Sequence, residues 1–166
     1  NTNLLLIICL LIVSVNCKKN EVVPLRTFED VTEEEYLAPC QEDLRYNSVW
    51  SNYDFDNLFI STRYNGSNFQ IIASGSDNHK IYFEFDKKPT QPRIYSAQYN
   101  GTTVDSSTCI LTLVTNSGTV FTPYFGAQVY INYSSNNKMS LSMCESRLNK
   151  AGFGFYCTIY QAYFRF

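Results

Sequence analysis

Ala127-Gln128-Val129-Tyr130-Ile131-Asn132-Tyr133, followed across Ser134-Ser135-Asn136-Asn137 by Lys138-Met139-Ser140-Leu141-Ser142-Met143-Cys144, is the stretch that decides the fold. Apolar and polar residues alternate along both runs, which is the period of a strand with one buried face and one wet face. The residues between them are turn formers. Val129 and Ile131 on the first strand, and Met139, Leu141 and Met143 on the second, are therefore expected to point into a core.

The same reading extends outward in both directions. Strands are expected near Leu58–Tyr64, Phe69–Gly75, Lys80–Asp86, Arg93–Tyr99, Thr108–Thr115 and Phe153–Phe166, with Leu111 and Leu113 facing inward. Asn65-Gly66 and Asn100-Gly101 supply the positive φ angles of type I′ hairpins. Ser76-Asp77-Asn78 and Asn116-Ser117-Gly118 are further turns, and Lys87-Lys88-Pro89-Thr90-Gln91-Pro92 is a loop, because proline cannot donate to a ladder. Turn signals about every 8–12 residues indicate an all-β domain, an antiparallel meander forming a small β-sandwich or barrel over residues 46–166.

Bulk properties agree with one domain. The chain has 166 residues, of which 45% are hydrophobic and 17% charged, so it can bury a core of ordinary size. A net charge of -2 and the absence of any Lys/Arg-rich run leave no electrostatic footprint for nucleic acid.

The N-terminal part has a different character. Leu4 to Val13 is an uncharged apolar run, too short for a span of about 20 residues but right for a signal h-region of about 7–15. The chain opens at Asn1 with neither Met nor a basic n-region, which points to residues missing upstream. Residues 18–45 read as an acidic tether carrying Glu29, Asp30, Glu33, Glu34 and Glu35. Thr32 and Glu35 have capping-box spacing for one helical turn, and Pro39 stops any longer helix.

The apolar run ends at Cys17-Lys18-Lys19, and Ser14-Val15-Asn16-Cys17-Lys18-Lys19 resembles the relaxed lipobox of small Bacteroidota lipoproteins. The resemblance implies a lipoprotein signal segment over 1–17, a lipid on Cys17 and an exported protein anchored to the cell envelope at the outer membrane. Asn16 departs from the Gly, Ala or Ser usual at its position. The alternative is an ordinary signal peptide cleaved near Ser14 or Asn16, with Cys17 a plain thiol. Ile71-Ile72-Ala73-Ser74-Gly75, Ile81-Tyr82-Phe83-Glu84-Phe85 and the 126–142 stretch also resemble the bodies of uncharacterised lipoproteins of that group. That likeness implies a β-sandwich-like domain and carries over no catalytic residue.

Four cysteines remain beyond Cys9 and Cys17, and in an oxidising compartment an even number reads as disulfides. The expected pairs are Cys144 with Cys157, flanking a hairpin, and Cys40 with Cys109, tying the N-terminal segment to the sheet. The first pair requires a bulge near Cys144, because Cys144 alternates with Ser140 and Ser142 whereas Cys157 alternates with Phe153, Phe155 and Ile159.

No cofactor or metal site is expected. The chain has no G-x-S-x-G, H-E-x-x-H or Gly-rich phosphate loop, and its single His79 lies in a turn and reads as an exposed loop residue. Asp54 with Asp56 and Glu84 with Asp86 read as solvated faces, since Ca²⁺ wants six to eight oxygens. Asn65, Asn100 and Asn132 begin glycosylation sequons, which matter only in a eukaryotic secretory protein. The final strand, ending at Phe166, resembles the C-terminal strand of outer-membrane barrels, but Ser61, Arg63 and Asp86 fit a lipid-facing band poorly.

The positive signal is aromatic: 13 Tyr, 12 Phe and one Trp. Phe is core material, whereas clustered exposed Tyr and Trp serve binding surfaces, including stacking platforms for sugars. Trp50, Tyr53, Tyr64, Tyr124 and Tyr130 are the candidate ligand-binding aromatics, with Tyr46 and Tyr133 beside them. The expectation is a non-catalytic, lipid-anchored envelope protein that binds glycan or protein and no nucleic acid. The alternative is a small envelope hydrolase with a carboxylate or metal site.

Overall fold

The computed structural model describes residues 40, 47–99, 101–124, 126–134, 137–150 and 156–166, all within the compact unit Val31–Phe166. The signal segment 1–17 with Cys17, the tether apart from Cys40, Tyr46, Asn100, Phe153 and Phe155 lie outside the described residues.

The described residues are all-β, as the alternation requires. Eleven strands join one sheet: β1 Ser48–Ser51, β2 Phe59–Asn65, β3 Asn68–Ser74, β4 Lys80–Phe85, β5 Arg93–Gln98, β6 Thr108–Val114, β7 Val120–Pro123, β8 Gln128–Tyr133, β9 Met139–Met143, β10 Ser146–Lys150 and β11 Tyr156–Arg165. Neighbouring strands run antiparallel except β5 and β6, which pair parallel. The β2–β3 turn differs from the expected type I′ hairpin: Asn65 pairs with Asn68, so Gly66-Ser67 form the loop and of the two only Gly66 has a positive φ, 63°. The hairpin expected from Asn100-Gly101 is also corrected, since the flanking strands β5 and β6 run parallel.

Two strands share an edge between two partners, and this curls the sheet. One side of β6 pairs with β4, while β5 and β7 both pair with β6 at different residues, so the pairings close a circuit β6–β5–β8–β9–β11–β10–β7. β9 and β10 are two halves of one run against β11: Met143 faces Ala162, and three residues later Ser146 faces Ile159. The curl brings β4 over β11, where the Phe83 and Phe164 rings meet edge to face at 5.9 Å.

Register fixes what enters the core. Ile71, Phe83 and Leu111 lie in one row across β3, β4 and β6, and Ile131, Leu141 and Phe164 lie in another across β8, β9 and β11. All six are fully buried, as are the expected Leu113, Val129, Met139 and Met143. Each such side chain contributes roughly 1.5–3 kcal/mol relative to exposure. The sheet edge at β2 is exposed on both faces over most of its length.

The expected cysteine pairs are corrected. Cys40 is bonded to Cys144, a link spanning 104 residues, and Cys109 and Cys157 are free and buried. The chain does not turn at Cys144 but continues into β10, so Cys157 faces Leu148. Four residues of strand, about 13 Å, then separate Cys144 from the row of Cys157. Cys144 keeps the parity of Ser140 and Ser142 and points away from the core, where Cys40 can reach it. The tie between the N-terminal segment and the sheet is present, but it lands on the outer face of β9 rather than on β6. The Cys40 amide also donates to Cys144 Sγ at 3.1 Å, and the Gln161 side-chain amide donates to the Cys40 carbonyl.

Candidate functional site: an aromatic strip on the outer face

β7, β10, β11 and β1 form a continuous piece of sheet, and its outer face collects exposed aromatics. Along β11, Cys157 and Ile159 are buried and so Tyr156, Thr158 and Tyr160 point outward. Arg147 lies between buried Ser146 and Leu148 and faces Thr158 across the ladder. The Tyr124 amide donates to the Arg147 carbonyl at 3.2 Å, which extends the row by one strand. On the other side Asn52 brackets Thr158 through its own amide, at 3.1 Å, and its side-chain carbonyl, at 2.6 Å.

Two ring contacts organise this face. The Arg147 guanidinium sits 3.7 Å above the centre of the Tyr156 ring, and Trp50 packs on Tyr160 with centroids 4.8 Å apart. A register shift between Trp50 and Ser51 opposite Tyr160 makes the second contact, since it pushes Tyr160 out of the ladder toward the indole. Trp50 remains 59% exposed, Tyr124 59% and Tyr156 56%. Tyr156 and Tyr160 are four residues apart on one strand, about 13 Å.

Of the five aromatics read from the sequence, Trp50 and Tyr124 come together here. Tyr64 lies far across the sheet on edge strand β2, its ring edge-on to Phe69 at 5.5 Å. Tyr130 is half-buried on β8 and donates to Gln128 Oε1 at 2.7 Å. Tyr53 turns to the core, packing on Phe121 and His79, and burial, with Cys157 nearby, pushes its hydroxyl pKa up. Arg147, Tyr156 and Tyr160 complete the strip and were not singled out in the sequence. The period-two spacing of Tyr156, Thr158 and Tyr160 against Cys157 and Ile159 is the signal that could have found them.

The chain matches no family model, no curated protein and no solved structure.

A cleft of about 270 Å³ opens between the Lys87–Gln91 loop and Asp105-Ser106. Its floor is the edge-to-face pair Phe85 and Tyr95, at 4.8 Å. Tyr133 donates to the Pro89 carbonyl at 2.5 Å and Arg93 donates to the Ser106 carbonyl, so both walls are held. Asp86 and Asp105 both line it. The Ser107 amide and the Ser107 and Thr108 hydroxyls all donate to Asp105 and hold its carboxyl below the ordinary carboxylate range. An acid catalyst needs the opposite shift.

His79 is buried, 7% exposed, which corrects its reading as an exposed loop residue. Its ring lies between Tyr53 and Phe55, and Nδ1 meets the Asp77 carboxylate and, at 3.2 Å, the Asp54 carbonyl. These bonds pin the β3–β4 turn to the segment leading into β2, and Ser76 reinforces them by donating to the Asp56 carbonyl at 2.9 Å. The residues around His79 act as a clasp. Among the described residues no group of three or more His, Cys, Asp or Glu gathers at one point.

Proposed function

We propose that the domain is a non-catalytic glycan-binding module of an exported envelope protein, held at the outer membrane by lipid on Cys17, with the outer-face strip as its binding surface. The observation that carries this reading is the exposed Trp50–Tyr160 pair in line with Arg147 and Tyr156 on one sheet face. Flat, solvent-facing rings on rigid strands bind sugar faces with little ordering cost. The rings bury only part of their area against each other, so they are not needed to complete the core. The envelope anchor is supported by the short h-region ending at Cys17.

The hydrolase reading draws on the cleft with Asp86 and Asp105. It is the weaker of the two, because hydrogen bonds favour the ionised form of Asp105.

Glycan-array screening followed by affinity electrophoresis tests the binding face. Trp50→Ala and Tyr156→Ala should each weaken retention more than tenfold, the effect of losing a central aromatic anchor, with thermal melts close to wild type. Retention unchanged by both substitutions overturns the strip as the site, and capture of an envelope protein in place of any glycan overturns the ligand class. Palmitate labelling in a lipoprotein-processing bacterium, abolished by Cys17→Ala, tests the anchor; an unlabelled, soluble wild type refutes it.

A further inference from the structure

The strip contains one residue that a neutral sugar does not need. Arg147 is exposed and its guanidinium lies 3.7 Å over the Tyr156 ring, yet no carboxylate among the described residues answers it, where the one ion pair is His79 with Asp77. Glu145, two residues earlier, forms no ion pair with it. A ring engages a cation through its π-face, so the five N–H donors of the guanidinium are not consumed by the contact. The stack also restricts a side chain that is otherwise rich in rotamers, so less freedom is lost when those donors find a ligand.

We infer that the strip selects acidic glycans, extended chains of carboxylated sugars, with Arg147 receiving a carboxylate while Trp50 and Tyr160 stack a sugar further along the chain. This rests on the binding face proposed above. The fork of N–H groups matches a carboxylate two bonds at a time. The roughly 13 Å between Tyr156 and Tyr160 requires an extended ligand rather than a single ring. Arg147 also discriminates against neutral chains: a neutral sugar laid over it strips water from a charge and returns no counter-charge.

Polygalacturonate and its carboxyl-reduced, uncharged counterpart test the inference, with the full chain and affinity electrophoresis or calorimetry as readout. The wild type should bind the acidic polymer about tenfold or more tighter than the reduced one, as expected for charged hydrogen bonds, with the preference shrinking as salt rises. Arg147→Gln should bring the ratio of the two affinities to near one. Arg147→Lys, which keeps charge but loses the fork, should restore only part of it. Equal binding of both polymers, still weakened by Trp50→Ala, overturns the acidic selection and leaves the strip intact. A preference for the acidic polymer that survives Arg147→Gln overturns the role of Arg147, with the Lys87–Lys88 cleft the next place to look. Binding of neither polymer overturns the inference, and the array result then decides whether the strip falls with it. Melts of each variant exclude unfolding as the cause.

Discussion

On the outer face of β2, β3 and β4, Arg63, Gln70 and Glu84 stand side by side across three strands; on the outer face of β10, β11 and β1, so do Arg147, Thr158 and Asn52, flanked by Tyr156, Tyr160 and Trp50. The first row closes on itself. Arg63 Nε donates to Gln70 Oε1 at 2.9 Å, the Gln70 amide donates to Glu84, and Asn68 donates to the other Glu84 oxygen at 2.7 Å. The second leaves its cation over a ring and its indole in solvent. Arg63 is answered by a side chain in its own row, whereas among the described residues no carboxylate pairs with Arg147. A polar group satisfied in plane finishes a surface, whereas one oriented and left open gives a ligand something to bind.

The largest expected effect comes from the link that fastens the N-terminal segment to the outer face of β9. Replacing Cys40 and Cys144 by Ala releases a cross-link spanning 104 residues and should lower stability by about 2–4 kcal/mol in urea unfolding. A change under about 0.5 kcal/mol would make the link an ornament of the surface. Cys109 and Cys157 serve as reporters in the same experiment. Burial raises both thiols, Cys157 to about 12, so peptide mapping should find them alkylated only after unfolding.

The closed row is broken most directly at Gln70, which is only 6% exposed and bonded on both sides. Gln70→Ala should cost about 1–3 kcal/mol, since it removes one partner from both Arg63 and Glu84. It should not alter glycan retention. Loss of retention at this distance from the strip would show that the two faces are not separate surfaces.

How far the sequence anticipates all this depends on strand length and on the number of inward residues per strand. Leu111 with Leu113, Val129 with Ile131, and Met139 with Leu141 and Met143 repeat the period of two often enough to be read, and all are buried. β1, β7 and β10 were missed, because each is four or five residues long; β10 offers a single apolar residue, Leu148, and β7 ends at Pro123. With β10 illegible, Cys144 reads as the end of a strand before a hairpin, which is why the expected cysteine pairs differ from the one observed. The bulge that pairing demanded was the warning, since Cys144 alternates with serines. Half of the strip was equally hidden: Arg147 sits on the missed strand, and Tyr160 faces Trp50 only through a register shift. His79 was read correctly as a turn residue, but its burial depends on Tyr53 and Phe55 folding over it from a distant segment.

The open face should tolerate loss of its largest ring. Trp50 packs on Tyr160 and is 59% exposed, so Trp50→Ala should lower stability by about 0.5–1.5 kcal/mol for the lost aromatic pair plus a smaller amount for the part of its area that is covered, in all under about 3 kcal/mol. A buried tryptophan would cost about 3–5 kcal/mol. A loss of that size would move Trp50 into the core and erase the contrast between the faces.

The smallest effect is a pH dependence confined to the closed row. Burial pushes the Glu84 carboxyl up, but hydrogen bonds from Asn68, Gln70 and Asn65 and the charge of Arg63 outweigh it and leave the pKa below its ordinary 4.5. The folded state therefore holds the carboxylate more firmly than the unfolded chain does. The resulting stability is fully present above pH 4.5 and is lost as pH falls through the lowered folded value. Solvent screens the group, so the contribution should stay below about 1 kcal/mol. Glu84→Gln removes the titrating group while preserving the shape and a donor–acceptor pair. The stability of wild type minus that of Glu84→Gln should be positive near neutral pH and shrink on acidification to pH 3, where the protonated acid resembles the amide. Among the described residues Arg147 has no such carboxylate, so Arg147→Gln should leave the acid limb of the stability curve unmoved. A wild-type advantage over Glu84→Gln that stays constant or grows on acidification would mean that the row does not stabilise the ionised carboxylate, and the two faces would then differ in composition alone.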